Sequence, residues 1–347
     1  MISWEEYARR FRAAVAKADS RRKFDREYAN RCLDYARPLF DSGLPIIYDH
    51  GHLARLVGYQ ASYLLGVSNA PGGYYRSYTI PKVSGGTRTI TEPLPSLKEI
   101  QHWVLTNILY VIPIHPYAKG FAPGRSIREN ARFHQRQPLV LTVDIEDFFG
   151  NVSASTVTRL FHELGYTSRV AVLLAKLCTL RGSLPQGAPT SPALSNLASA
   201  KIDERLATYS RRLGIRYTRY ADDLTFSGYF DAGKLIAVVT TVIGNSGFTL
   251  NPRKTKLMRR HQRQETTGIV VNQRMQVPRE IRRKIRQECW YIEKFGLESH
   301  LMRIRNVKTN YLRHLLGIVG YVLFVNNSDP DGIRAMKLLV PLLHGDA

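Results

Sequence analysis

The chain has 347 residues, 44% of them hydrophobic, enough for two or three packed units; this excludes a disordered chain. Its 50 Lys and Arg against 28 Asp and Glu leave a net charge of +22, which points to a polyanionic partner, most simply nucleic acid. Three well-separated cysteines, with no CxxC, exclude a disulfide framework and a structural zinc site.

The first segment, MISWEEYARRFRAAVAK, has no apolar core of the signal-peptide kind. No run of about eighteen apolar residues occurs anywhere, so no membrane span is expected and the expected location is the cytoplasm. A basic membrane-surface protein is the competing class, but no amphipathic anchor helix stands out. Residues 1–70 read as mainly helical. Leu53, Leu56, Val57, Leu64, Leu65 and Val67 supply an apolar stripe at helical spacing. The stretches YRSYTIPK and TRTITEP alternate, and the SGG between them predicts a β-hairpin. The next segment, SLKEIQHWVLTNILYVI, predicts a helix capped by Ser96, with Ile100, Val104, Leu105 and Ile108 on its apolar face.

LVLTVDIEDFF then reads as a buried strand, SASTVTRLFHELGY as a Ser-capped helix and RVAVLLAKLCTL as another helix. GSLPQGAPTSP is a loop before one long helix, ALSNLASAKIDERLATYSRRLG. A further strand pattern, RYTRYADDLTFSG, precedes a helix near 232–246, the segment GFTLNPRKTKLM and a helical tail over 278–347. Alternation of strand and helix from 139 to 257 predicts an α/β sandwich with helices on one sheet face. Residues 251–308 carry 16 Lys and Arg against 5 Asp and Glu, which places a basic face after that unit.

Two carboxylates inside a strand pattern need a reason. RYTRYADDLTFSG is read as a β-hairpin with Asp222 and Asp223 in its turn. A carboxylate in a cleft needs a compensating cation, and a divalent metal supplies one. Asp144 follows a second strand-like run. If the two strands are neighbours, Asp144 and Asp222 can share a pair of Mg²⁺ ions about 4 Å apart, an arrangement suited to in-line displacement of pyrophosphate. On its own the DD pair is equally compatible with an ordinary solvated turn.

Four ordered motifs, VDIEDFF, LPQGAPTSP, YADD and GFTLNPRKTK, resemble those of reverse transcriptases. The resemblance runs from about Tyr75 to Val325. It implies an α+β right-hand polymerase fold with a ferredoxin-like βαββαβ palm. The expected regions are a helical N-terminal part (1–72), fingers (73–138 with part of 165–200), palm (139–260) and a helical thumb (261–347). Asp144, Asp222 and Asp223 would be catalytic metal ligands for two Mg²⁺, with Mn²⁺ a substitute, assisted by the carbonyl of Ile145. Lys254 would protonate pyrophosphate or, alternatively, touch the RNA backbone. Lys82, Arg88, Gln186 and Gly187 would hold the incoming dNTP, and Phe149 would exclude a ribose 2′-OH.

Further motifs are similar to those of retron reverse transcriptases. NARFH (Asn130 to His134) fits an NAxxH pattern, and Thr266–Gly268 (Thr266, Thr267, Gly268) lies where the family carries Val-Thr-Gly, Thr266 departing from the valine. Both are expected RNA contacts, together with Arg282, Arg283, Lys284 and Arg286 on a thumb helix whose apolar stripe is Ile281, Ile285 and Cys289. The resemblance implies a cognate msr–msd-type non-coding RNA, its RNA–DNA product, a separate effector protein in antiphage defence, and no membrane partner. Another bacterial reverse transcriptase class (group II intron-like or abortive-infection), or a non-catalytic RNA-binding scaffold on the same fold, are the competing readings.

Overall fold

The structure, a computed structural model, describes residues 2–18, 26–81, 85–304 and 310–344. Two compact units result. The first comprises residues 1–115, 121–123 and 147–202; the second comprises 116–120, 124–146 and 203–347. No helix among the described residues is long and apolar enough to cross a membrane.

The first unit contains α1 (Trp4–Ala18), α2 (Arg26–Asp41), α3 (His50–Val57), α4 (Ala61–Asn69), β1 (Tyr75–Pro81), β2 (Thr87–Pro93) and α5 (Pro95–Asn107), then α7 (Ala154–Glu163), α8 (Ser168–Cys178) and α9 (Ser191–Ala198). Trp4, Tyr7 and Phe11 recur at three- and four-residue spacing, so they share one face of α1. That face packs on Phe40 and Tyr48. The predicted hairpin forms: β1 and β2 pair antiparallel from Tyr75–Pro93 to Pro81–Thr87. Ser153 caps α7 as expected, accepting from the Thr156 amide at 3.2 Å. Ser96 does not cap α5. The helix begins one residue earlier at Pro95, whose missing N–H costs nothing in the first turn, and Leu94 occupies the cap position.

The second unit contains α6 (Ile127–Phe133), β3 (Leu139–Ile145), most of α10 (Ala200–Arg212), β4 (Arg216–Tyr220), β5 (Asp223–Gly228), α11 (Ala232–Gly244), β6 (Leu250–Arg259), β7 (Glu265–Thr266), β8 (Ile269–Val270) and four helices: α12 (Arg279–Phe295), α13 (Leu297–Arg303), α14 (Tyr311–Val325) and α15 (Pro330–His344). Its sheet has the order β4-β5-β3-β6, with every pairing antiparallel. Helices enter between β3 and β4 and between β5 and β6, which is the ferredoxin-like βαββαβ connection.

Two further details differ from expectation. The long helix predicted over 193–214 is two helices, broken at Ser199. The strands of the YADD hairpin close more tightly than expected: Tyr220 pairs with Asp223, so only Ala221 and Asp222 form the turn, and Asp223 is the first residue of β5. The α12 stripe buries Ile285, Cys289 and Ile292, with Ile281 half-buried. It packs against Leu315, Val319 and Val322 of α14 and Ala335 and Leu339 of α15. Each fully buried branched side chain contributes about 1.5–3 kcal/mol, so this cluster alone can hold the C-terminal helices together.

Candidate active site

Sheet register brings the acidic residues together. Asp144, near the end of β3, lies directly opposite Asp223 on β5 and Asn251 on β6. The Ile145 amide donates to the Asp222 carbonyl at 2.9 Å, which ties the turn to the strand carrying Asp144. Lys254 on β6 reaches back, its Nζ 2.8 Å from Asp144 Oδ2. Thus Asp144, Ile145, Asp222, Asp223 and Lys254 form one cluster at one end of the sheet, although 110 positions separate the first and last.

Electrostatics mark this cluster as costly. Asp144 is only 4% exposed. Burial raises the Asp223 pKa to about 6, with the Asp222 and Asp144 charges adding to the effect. Asp222 is raised by burial and by Asp144. The Lys254 pKa is raised by its hydrogen bond to Asp144. Among the described residues, no three His, Cys, Asp or Glu side chains gather into a ready metal cage. The donor set still fits a hard divalent ion: carboxylates stand side by side, and the Lys254 ammonium on Asp144 stands in for a cation. Mg²⁺ takes few protein carboxylates and leaves the remaining positions to substrate oxygens and water.

A pH dependence follows. Asp223 binds its proton more tightly folded than unfolded, so its own contribution to the stability of the metal-free protein falls as pH rises from about 4 to about 6. A divalent cation removes that penalty. The increase in melting temperature on replacing EDTA with Mg²⁺ should therefore grow through this window and level off above pH 6. A shift that is flat from pH 4.5 to 8 would show that Asp223 is not part of the cation site.

Three residues that sequence reasoning missed hold the turn. Arg219, fully buried on β4, makes a two-pronged pair with Asp203 of α10, Nε–Oδ1 2.8 Å and Nη2–Oδ2 2.6 Å. Its Nη1 donates to the Ala221 carbonyl at 3.0 Å, the residue before Asp222, whose φ is +57°. Tyr217 adds a 2.8 Å bond to Asp203. Burial opposes the charge on Arg219, but Asp203 outweighs it and the Arg219 pKa is raised. Residues 117–119 run along β4, the Lys119 amide donating to Arg219 O at 2.7 Å. Gly120 lets this segment approach, because a Cβ there would lie 2.7 Å from the Ala221 nitrogen. One signal for Arg219 was in the sequence: strand alternation places it on the same face as Tyr217, and an inward charge requires a partner.

The nucleotide-binding candidates lie in the first unit, apart from Lys82, which is outside the described residues. Arg88 is exposed on β2, opposite Ile80, with no carboxylate partner among the described residues. The LPQG loop is stitched to that strand: the Thr91 amide donates to Gln186 O at 2.7 Å. Gly187, read as letting backbone approach the substrate, has its backbone close against β2. Its φ is +135°, and a Cβ would lie 2.7 Å from the Thr91 carbonyl oxygen. Phe149 is half-buried in the turn after β3, its ring 5.8 Å from both Phe121 and Phe148.

The structure buries three of the expected RNA contacts, Asn130, His134 and Thr266. Asn130 and His134 are fully buried. The His134 ring bonds Ser227 and Thr218, both at 2.7 Å, and Thr218 donates to Asn130 Oδ1 at 2.6 Å. Burial drives the His134 pKa down to about 3, so it is neutral and offers no charge to a phosphate. The NAxxH spacing clamps α6 onto β4 and β5. Thr266 is buried too; Thr267 and Gly268, with φ of +48° and +80°, form the two-residue turn between β7 and β8. Arg282 pairs with Asp329 and Asp331, and Arg286 with Asp331, joining α12 to α15. Arg283 and Lys284 remain exposed and unpaired among the described residues.

Three carboxylates thus gather at one end of a βαββαβ sheet, and comparison places the chain in a family. Residues 80–287 match the family of reverse transcriptases (RNA-dependent DNA polymerases), so the chain belongs to it; the right-hand polymerase fold is that of the family. Within it the chain is of the bacterial retron type. It is 39% identical over 249 residues to the retron Mx162 reverse transcriptase of Myxococcus xanthus, covering 61% of this chain and 51% of that protein. It is 36% identical over 284 residues to the retron Mx65 reverse transcriptase of the same organism, covering 76% and 64%. The retron Ec86 reverse transcriptase of Escherichia coli is 36% identical over 237 residues, covering 67% and 73%. The chain thus spans about half of the first relative and just under two thirds of the second.

Proposed function

We propose that this protein is the RNA-directed DNA polymerase of a retron. It copies part of a cognate structured RNA of the msr–msd type into single-stranded DNA that stays joined to that RNA, priming from an RNA 2′-OH and consuming dNTPs. The observation that carries this reading is the Asp144–Asp222–Asp223 cluster with Lys254 at the sheet end. Two bound Mg²⁺ ions would supply Lewis-acid activation of the priming hydroxyl and neutralise charge on the departing pyrophosphate. Asp144 and Asp222 would hold them, assisted by Asp223 and the Ile145 carbonyl. Lys254 is the acid the chain can offer to pyrophosphate, since its ammonium stays protonated and its side chain is 59% exposed. Arg88 is suited to a triphosphate because its fork matches phosphate oxygens and no carboxylate competes for it among the described residues.

The regions implied by the resemblance belong to this proposal: a helical N-terminal part over 1–72, fingers over 73–138 with part of 165–200, palm over 139–260 and thumb over 261–347. A role in antiphage defence with a separate effector protein, acting in the cytoplasm, completes it. The test is extension of poly(rA)/oligo(dT) with Mg²⁺ and dTTP, together with sequencing of the nucleic acid that copurifies from the native operon. DNA covalently joined to an inverted-repeat RNA supports the reading. An inactive wild-type protein that still binds RNA would point to a scaffold.

Phe149 gives a separate prediction about sugar choice. Its ring is braced by two others, so it is a stiff obstacle rather than a mobile side chain. Phe149→Val, which keeps an apolar side chain there, should lower discrimination of dTTP over UTP by about tenfold or more in kcat/KM. Unchanged discrimination would remove Phe149 as the gate and leave it a packing residue.

A further inference from the structure

The helix that carries NAxxH has a second face. Asn130 and His134 point inward, and Arg128 and Arg132, with the same four-residue spacing, are exposed. Neither arginine has a carboxylate partner among the described residues. Glu129 between them is already engaged, accepting from Lys119 and from Arg125 at 2.7 Å each. These arginines line a groove of about 430 Å³ together with Ser126, Glu129, Met275 of the segment before α12, and Phe324 in the last turn of α14. Phe324 is 43% exposed, a large aromatic surface left open beside two unpaired cations.

We propose that this groove binds a single-stranded segment of RNA. Arg128 and Arg132 lie one helical turn apart, with Cβ atoms about 5–6 Å from each other, so they can serve neighbouring phosphates. Phe324 offers a ring for a base to stack on, and Met275 offers a polarizable, adaptable wall. Unpaired guanidinium groups beside an exposed ring match a looped-out nucleotide, whose charge and π-face are offered together. An acidic protein segment would satisfy the arginines and leave the ring without a function. The inference rests on the reading of this chain as an RNA-directed polymerase, but the groove is made of α6, Met275 and α14, none of which contributes to the carboxylate cluster. It also moves the recognition role on this helix from Asn130 and His134 to the arginines on the opposite face.

The probe is a fluorescein-labelled 20-nucleotide single-stranded RNA of mixed sequence, titrated with the full chain at several salt concentrations. The double variant Arg128→Ala/Arg132→Ala should weaken binding at least tenfold and lower the slope of log K against log salt by about 1.4, or 0.7 for each phosphate contact. Phe324→Ala should weaken binding about tenfold without changing that slope, and Phe324→Trp should restore it. All variants should keep the wild-type melting temperature, and their kcat on saturating poly(rA)/oligo(dT) should stay within about twofold of wild type. Unchanged affinity and slope in the double arginine variant would overturn the proposal. So would a loss of capture of an acidic partner protein with RNA affinity intact. Failure of the wild-type chain to extend the primer would count against the polymerase reading instead, because it does not involve these side chains.

Discussion

Asp222→Asn should abolish DNA synthesis while the protein folds, binds RNA and melts at a slightly higher temperature. The substitution preserves shape and removes one charge. A metal-bridging carboxylate supplies several kcal/mol to the transition state, and at 1.36 kcal/mol per decade this corresponds to a loss of roughly a thousandfold or more. The stability effect runs in the opposite direction. Burial and the nearby Asp144 charge raise the Asp222 pKa, so its negative charge is held at a cost in the metal-free protein. Asparagine removes that cost. The pairing of lost activity with gained stability separates a catalytic carboxylate from a structural one, whose loss would lower both. Primer extension and thermal unfolding in EDTA, on the same preparations, make the measurement. Full DNA yield from Asp222→Asn would remove Asp222 from the ligand set.

Arg219→Met should destabilise the protein by roughly 3–5 kcal/mol, because it leaves Asp203 buried without its counter-charge. Arg219→Lys should recover only part of this loss. An ammonium is a point charge and cannot hold both Asp203 oxygens and the Ala221 carbonyl in one plane. The double variant Arg219→Met/Asp203→Leu is the informative one. Replacing both partners of a buried pair by apolar groups is often close to neutral, so the melting temperature should return towards wild type. Synthesis should not return with it. The Ala221 carbonyl would still lack its donor, and the turn that carries Asp222 would lose its anchor. A fall in kcat, with RNA affinity and stability near wild type, identifies Arg219 as a positioning residue for the turn. Full recovery of kcat along with stability would assign the pair to folding alone.

Much of the architecture is written in local patterns. The alternation on either side of SGG predicts the β1–β2 hairpin, and Ser153 marks the start of α7. The residues of the carboxylate cluster can also be picked out, since acidic side chains inside strand patterns are exceptional and therefore informative. Misreadings arise where the deciding contact is distant in the chain. Four-residue spacing puts Asn130 and His134 on one face of α6, but it does not say whether that face meets solvent or Thr218 and Ser227, which lie 84 to 93 residues away. Gly187 is legible as a glycine required by close approach; what approaches it, the Thr91 carbonyl, is not. Arg282 and Arg286 read as a basic face, yet aspartates more than forty residues further on pair with both.

By itself, the sequence determined the element types, the basic character and the acidic residues of the site, because propensity, periodicity and charge are properties of short segments. Only the tertiary structure decided which face of α6 is buried, that Lys254 sits on Asp144, and that Arg219 and Asp203 hold the turn that carries Asp222. Those outcomes depend on which strands become neighbours in the β4-β5-β3-β6 sheet. Hydrogen-bond and charge energies fall off within a few ångströms, so a residue's role is set by what the fold brings against it.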